Sequence, residues 1–244
     1  MMKSVLLRLE GPMQSWGTQS RFEERDTDAD PSKSGVLGLV GAAMGVARDD
    51  MGAIARLAGL TMAVRVDREG TVLRDYHTAG GGRWSGREYG VANAEGKLVG
   101  TVVSKRYYLA DASFLVALGS EEHPLVEEVA RALEQPVFPL FLGRKSFVPS
   151  VPIHLPRTPV VDLSPADTLR AQPWVRRSTD DETKGPERLR LVVECPPEEG
   201  RPRNDMPLSF ALYDRSYSRR YVRTDWVAMN DLPMEAVCSS PVSG

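Results

Sequence analysis

The chain has 244 residues and 26.9 kDa, with 41% hydrophobic and 26% charged side chains, enough to bury a core and unlike either a disordered or a membrane-spanning chain. Lys and Arg total 31 against 33 Asp and Glu, for a net charge of −2; that excludes a bulk polycation coating nucleic acid but not a local basic groove. The two cysteines, Cys195 and Cys238, share no metal-type spacing and exclude a disulfide scaffold. The start shows no signal-peptide pattern, and the longest weakly polar run, Gly35 to Ala47, is far short of a membrane span, so a cytoplasmic protein without membrane contact is expected.

Lys3 to Leu9 reads as a first strand, ended by Gly11-Pro12. A polar loop from Gln14 to Pro31 leads to a glycine-tolerant helix, Ser32 to Ala47, with Val36, Leu37, Leu39, Val40 and Met44 inward. Asp49 or Asp50 can cap a second short helix that buries Ile54 and Leu57. Leu60 to Val66 and Thr71 to Tyr76 read as strands around the turn Asp67-Arg68-Glu69-Gly70. From His77 to Gly100 the chain is glycine-rich and loses apolar periodicity. Strands resume at Thr101 to Leu109 and Ala112 to Leu118. A helix over Glu121 to Glu134 has Pro124 in its first turn, and a short strand, Val137 to Leu142, follows. After Gly143 the chain is proline-rich. Arg188 to Cys195 and Arg219 to Met229 are late strands, and Thr179 to Glu187 and Pro196 to Asp205 read as exposed loops. The first 142 residues therefore spell an α+β, ferredoxin-like βαββαβ unit with an excursion after its second strand.

No Walker A, G-x-S-x-G or strand-linked G-x-G-x-x-G motif is present, and the three histidines form no metal spacing, so neither metal nor cofactor is expected. His123 reads as a surface residue and His154 as a structural one. His77, where an apolar strand gives way to glycines, is the one histidine placed to act as a general base, with Lys105 or Tyr107 to stabilise a phosphorane, as in a metal-free endoribonuclease. A strand-end histidine bonded only to backbone is the commoner case.

Clusters that join cations to rings are more informative. Lys105-Arg106-Tyr107-Tyr108 in a strand would place one cation and one ring on each face, as single-stranded RNA binders do, or be an amphipathic strand with half-buried tyrosines. Gly143-Arg144-Lys145-Ser146 is a short loop whose cations and hydroxyl could hold a phosphate. Arg83-Trp84 repeats the pairing inside the excursion, and Arg215, Arg219, Arg220 and Arg223 alternate with tyrosines near the C-terminus. Their recurrence in loops favours RNA over a metabolite. Arg supplies 25 of the 31 basic residues, which suits phosphate forks and base stacking, though a GC-rich genome would have the same effect.

Five segments in order carry a family resemblance: Leu9-Glu10-Gly11-Pro12-Met13-Gln14-Ser15-Trp16-Gly17; Pro31-Ser32-Lys33-Ser34-Gly35-Val36-Leu37-Gly38 and its continuation; Asp75-Tyr76-His77-Thr78 with the glycines after it; Tyr107-Tyr108-Leu109-Ala110-Asp111-Ala112-Ser113-Phe114; and Leu142-Gly143-Arg144-Lys145-Ser146. Together they resemble the CasD family of subunits in Cascade, the type I-E CRISPR surveillance complex. The resemblance runs through about the first 155 residues and the Arg- and Tyr-rich C-terminal stretch.

It implies a ferredoxin-like, RRM-related palm, here 1–76 and 101–150, a β-hairpin thumb, 77–100, and a β-rich C-terminal extension, 151–244. It also implies a subunit that caps the crRNA filament and holds the 5′ handle of the crRNA. Its neighbours would be a backbone subunit and the large subunit, with target DNA met only indirectly. Relatives in type I-C systems cut the precursor RNA; in type I-E another subunit does, so no catalysis is expected here. The RNA contacts expected are Gln14, Ser15, Trp16, Lys33, Ser34, His77, Arg83, Trp84, Lys105, Arg106, Tyr107, Arg144, Lys145 and Ser146. Lys33-Ser34-Gly35 at a helix start would offer backbone N–H groups and a cation to a phosphate. Trp16 could instead be a core ring covering the sheet edge.

Overall fold

A computed structural model describes residues 1–18, 24–84, 87–92, 96–155, 160–175 and 185–233. In chain order, β1 is Lys3–Glu10, β2 Met13–Gln14 and β3 Glu24–Arg25, followed by helices α1, Lys33–Met44, and α2, Met51–Ala58. Next come β4, Thr61–Arg68, and β5, Thr71–Ala79. Four short strands occupy the excursion: β6 Gly82–Trp84, β7 Arg87–Tyr89, β8 Val91–Ala92 and β9 Leu98–Val99. Then follow β10, Val102–Ala110, β11, Ser113–Ser120, α3, His123–Glu134, β12, Val160–Val161, and α4, Pro165–Arg170. The last strands are β13, Arg188–Glu194, β14, Arg201–Ser209, and β15, Ser216–Ala228.

Seven strands form one sheet in the order β12-β1-β11-β4-β13-β15-β14, each antiparallel to its neighbours. Both faces of its centre are covered, which is why β1 and β11 are nearly continuous apolar runs. One face carries Leu7, Leu9, Val64, Phe114 and Val116 against α1 and α3. The other carries Leu6, Leu115, Leu189 and Leu191 against Leu169 of α4 and Leu232. The fully buried Arg65 ties α4 down: its guanidinium pairs with Asp67 at 2.6 Å and donates to the Leu169, Gln172 and Pro173 carbonyls, satisfying groups that a helix end leaves open.

A second sheet is built on β10, with β5 along one edge and the short β2 and β3 along the other. The strands β4 and β5, expected around one turn, do not pair with each other. Gly70 has φ +73°, and a Cβ there would lie 2.7 Å from the Ala110 carbonyl oxygen. The chain turns at this point from the large sheet into the β5–β10 ribbon, whose nine paired positions run from Thr71↔Ala110 to Ala79↔Val102.

Two other expectations need correction. Val137 to Leu142 is not a strand; Val137 and Phe138 donate their N–H groups to the Ala43 and Ala42 carbonyls, closing the end of α1. The place beside β1 belongs to β12. Pro196 to Asp205 is not a loop throughout: a short 3-10 turn over Pro197–Glu199 leads into β14, and its charged look comes from side chains committed to ion pairs. In the other expected loop, 179–184 lie outside the described residues, while Gly185 to Glu187 are exposed.

Candidate nucleic-acid interface

One cleft runs between four segments: the loop after β2, the first turns of α1, the loop 141–146, and the connection between β14 and β15. It has two joined chambers, of about 460 and 740 Å³, which share Ser15, Gly17, Ser34, Gly143, Arg215 and Tyr217. The smaller is polar and cationic, with Arg25, Arg106, Arg144 and Asn204, and Asp26 as its one acid. The larger has an apolar floor of Leu37, Gly38, Gly41, Phe138, Phe141 and Phe210, with Lys145 and Arg48 at its rim.

The 141–146 loop is fixed where it meets both chambers. Arg144 donates from Nη2 to the Tyr107 carbonyl at 2.8 Å and to the Arg25 carbonyl at 3.2 Å. Its guanidinium lies 5.4 Å from the Phe147 ring centroid, and Phe147 packs against Tyr108. Gly143, at φ +94°, lets the loop pass the Ser15 carbonyl oxygen, into which a Cβ would run. Ser15 in turn donates its N–H to the Leu142 carbonyl at 3.1 Å.

The cations of this cleft differ from the arginines buried elsewhere in the fold. Among the described residues, Arg25, Arg48, Arg106, Arg144, Lys145 and Arg215 make no ion pair, whereas Arg65, Arg190, Arg203 and Arg220 each hold a carboxylate. Burial, and then the like charges of Arg106 and Arg25, push the Arg144 guanidinium below its usual pKa. A guanidinium does not escape such repulsion by losing its proton, so an incoming anion relieves it.

The structure brings Ser15, Ser34, Arg106, Arg144 and Lys145 together around this cleft, with the exposed Ser146 next in chain to Lys145. Gln14, Lys33, His77, Lys105 and Tyr107 do not line the cleft, and Trp16 lines the larger chamber only as a nearly buried ring. Gln14 is fully buried; its Nε2 donates to the Leu9 and Ala112 carbonyls, and its Oε1 accepts from Trp16 Nε1 at 3.1 Å. Trp16 is 1% exposed, a core ring beneath α1 at Gly35. Lys33 is also 1% exposed, and its Nζ donates to both Glu194 oxygens at 3.0 Å. Burial lowers the Lys33 pKa against the opposing pull of Glu194. The α1 start is likewise occupied: Lys33 N–H donates to Asp205 and Gly35 N–H to Ser32 Oγ. The anions at this helix start are the protein's own.

The nuclease trio is not assembled. In the β5–β10 register His77 lies opposite Ser104 and Asp75 opposite Arg106, so these four share a face. Lys105 and Tyr107, opposite Tyr76 and Arg74, project from the other face. Lys105 lies 3.5 Å from Glu24, and His77 Nδ1 is 4.0 Å from Asp75. Arg83 and Trp84 lie on β6, and their side chains fall outside the described set. Sequence reasoning missed Arg25 and Arg48, which sit in no ring-and-cation cluster. Arg215 and Tyr217 were visible in the Arg- and Tyr-rich run, but Arg220 and Arg223 of that run are spent on Asp205 and Asp225. Among the described residues no cluster of His, Cys, Asp and Glu could hold a metal ion, and no helix is long and apolar enough to cross a membrane.

Known proteins match this architecture. The family model described as CRISPR-associated protein (Cas_Cas5) matches residues 4–223. The CRISPR system Cascade subunit CasD of Escherichia coli (strain K12) is 38% identical over 162 residues, 62% of this chain and 69% of that protein. A crystal structure of a Cas protein is 38% identical, with a TM-score of 0.70 over 95% of this chain and 98% of that one. A chain of a CRISPR RNA-guided surveillance complex is 37% identical, with a TM-score of 0.74 over 94% and 92%. With a family model spanning most of its length and this close a likeness to CasD, the chain belongs to the Cas5 family of CRISPR-associated proteins, on its CasD branch.

Proposed function

We propose that this protein is a non-catalytic, RNA-binding subunit of Cascade that holds the 5′ handle of crRNA and caps one end of the filament in CRISPR antiviral defence. The observation that carries the reading is the two-chambered cleft, whose lining cations make no ion pair among the described residues, while Arg190 and Arg220 elsewhere each hold a carboxylate. A single strand with sharp turns needs such a groove: guanidinium groups for phosphates, an apolar floor and rings for unstacked bases. The sheet order β12-β1-β11-β4, fourth-first-third-second among the strands of a βαββαβ unit, supports a ferredoxin-like, RRM-related palm. In this reading the β5–β10 ribbon and the strands at its tip are the thumb. The neighbours are a backbone subunit and the large subunit, target DNA being met through them.

The test is titration of the full-length chain with synthetic handle RNA across a salt series, with EDTA present. Wild type should bind without cleaving. The combined Arg106→Ala, Arg144→Ala, Lys145→Ala and Arg215→Ala variant should lose about 0.7 of logarithmic salt slope per phosphate contact removed. An unchanged slope would overturn the site, and site-specific cleavage lost in His77→Ala would overturn the non-catalytic part.

A further inference from the structure

We infer that Asp205 is the positioning residue of the cleft, one buried carboxylate that holds its opposite walls in register. The inference rests on the RNA-binding reading above. Asp205 is 1% exposed. Its Oδ2 accepts the Lys33 N–H at 2.8 Å, which pins the first turn of α1. The Arg220 guanidinium donates to both oxygens, at 2.6 and 2.8 Å, which pins β15. Arg203 Nε lies 3.4 Å away, and the same guanidinium reaches Asp28 and Asp30 in the loop that follows Arg25.

Each of these anchors sits beside a residue of the cleft. Lys33 precedes Ser34 on one wall; Asn204, next to Asp205, and Tyr217, three residues before Arg220 on β15, lie on the other. Asp28 and Asp30 continue the segment that carries Arg25 and Asp26. None of the anchoring groups is in the cleft itself, so Asp205 acts through them. A planar fork on a carboxylate fixes orientation as well as distance, and the N–H of α1 adds a third fixed direction. Burial alone would raise the Asp205 pKa, yet Arg220, Arg203 and the Lys33 N–H together hold it below the usual value, so the carboxylate stays charged at neutral pH.

Asp205→Asn keeps the shape and removes the charge. The full-length variant is titrated with handle RNA well below its own thermal midpoint, across the same salt series as wild type. Affinity should fall about tenfold, with the salt slope unchanged because every cleft cation remains. In an Arg215→Ala background the same substitution should cost less than tenfold, since one of the cleft groups on the β14–β15 wall that it holds in place is already gone. Arg220→Lys, which keeps the charge and loses the fork, should give a smaller loss with the same slope, and supplies the readout if Asp205→Asn does not fold. A lowered midpoint with wild-type affinity, or losses that multiply in the double variant, would show that Asp205 only stabilises the fold. Failure of wild type to bind handle RNA would instead remove the functional reading.

Discussion

Arg215 and Arg220 lie close together in one Arg- and Tyr-rich run, yet they have opposite fates. Arg220 is 3% exposed and locked on Asp205, while Arg215 lies open in the cleft with no carboxylate partner among the described residues. The difference is not local: it comes from Asp205 on the neighbouring strand. Lys33 shows the same point. It stands at a helix start in a motif that implies RNA contact, but Glu194, from a strand distant in sequence, takes its ammonium. Lys33→Met should therefore destabilise the fold by about 2 kcal/mol, because the part-buried Glu194 loses its ammonium partner and keeps only, among the described residues, the Met62 N–H and Arg220 at 4.0 Å, and leave the salt slope of RNA binding at the wild-type value. Urea denaturation and RNA titration on the same preparation check both. A stable variant with a reduced slope would put Lys33 back among the phosphate contacts. Residue type and spacing thus made Arg106, Arg144 and Lys145 legible as a cationic site, since each is in a ring-rich or glycine-bounded cluster. They could not distinguish contacting from supporting residues, because that depends on which carboxylate arrives from elsewhere in the chain.

At the scale of elements, regular burial is what made the helices and central strands readable. Ser32 caps α1 and Asp50 caps α2 as their side chains suggest, and α3 buries Leu125, Val129 and Leu133 at helical spacing. The failures lie where pattern is ambiguous. Val137 to Leu142 has strand-like residues but spends two N–H groups on the end of α1, and β14 has prolines and charges yet pairs with β15. The excursion is a third kind of case. No described residue from 80 to 97 belongs to either core cluster. Replacing residues 80–97 with a short Gly-Ser turn should leave the thermal midpoint nearly unchanged, since little apolar area is lost. It should weaken incorporation into the guide-bound complex, as read by co-purification with crRNA and the backbone subunit. A midpoint lowered by many degrees would make the excursion part of the core; undiminished incorporation would remove its role as a thumb.

Over the whole molecule, the C-terminal extension is not an appendage. Strands β13, β15 and β14 continue the sheet beyond β4, so one sheet spans the first and last described strands of the chain. This could not be read from pattern, because it rests on pairing between β4 and β13, more than a hundred residues apart. Its consequence is that the cleft has walls from both ends of the sequence: α1 and the loop 141–146 on one side, the β14–β15 connection on the other. The central claim, that this cleft holds the handle, is tested most directly by photo-crosslinking. Handle RNA carrying 4-thiouridine at successive positions is bound to the full-length chain, irradiated, and the attached peptides are mapped by mass spectrometry. Crosslinks should concentrate in residues 15–18, 34–42, 138–145 and 210–217, which supply most of the lining of the two chambers. Crosslinks concentrated instead around Trp174 and Trp226, which border a separate cavity of about 410 Å³, would contradict the account.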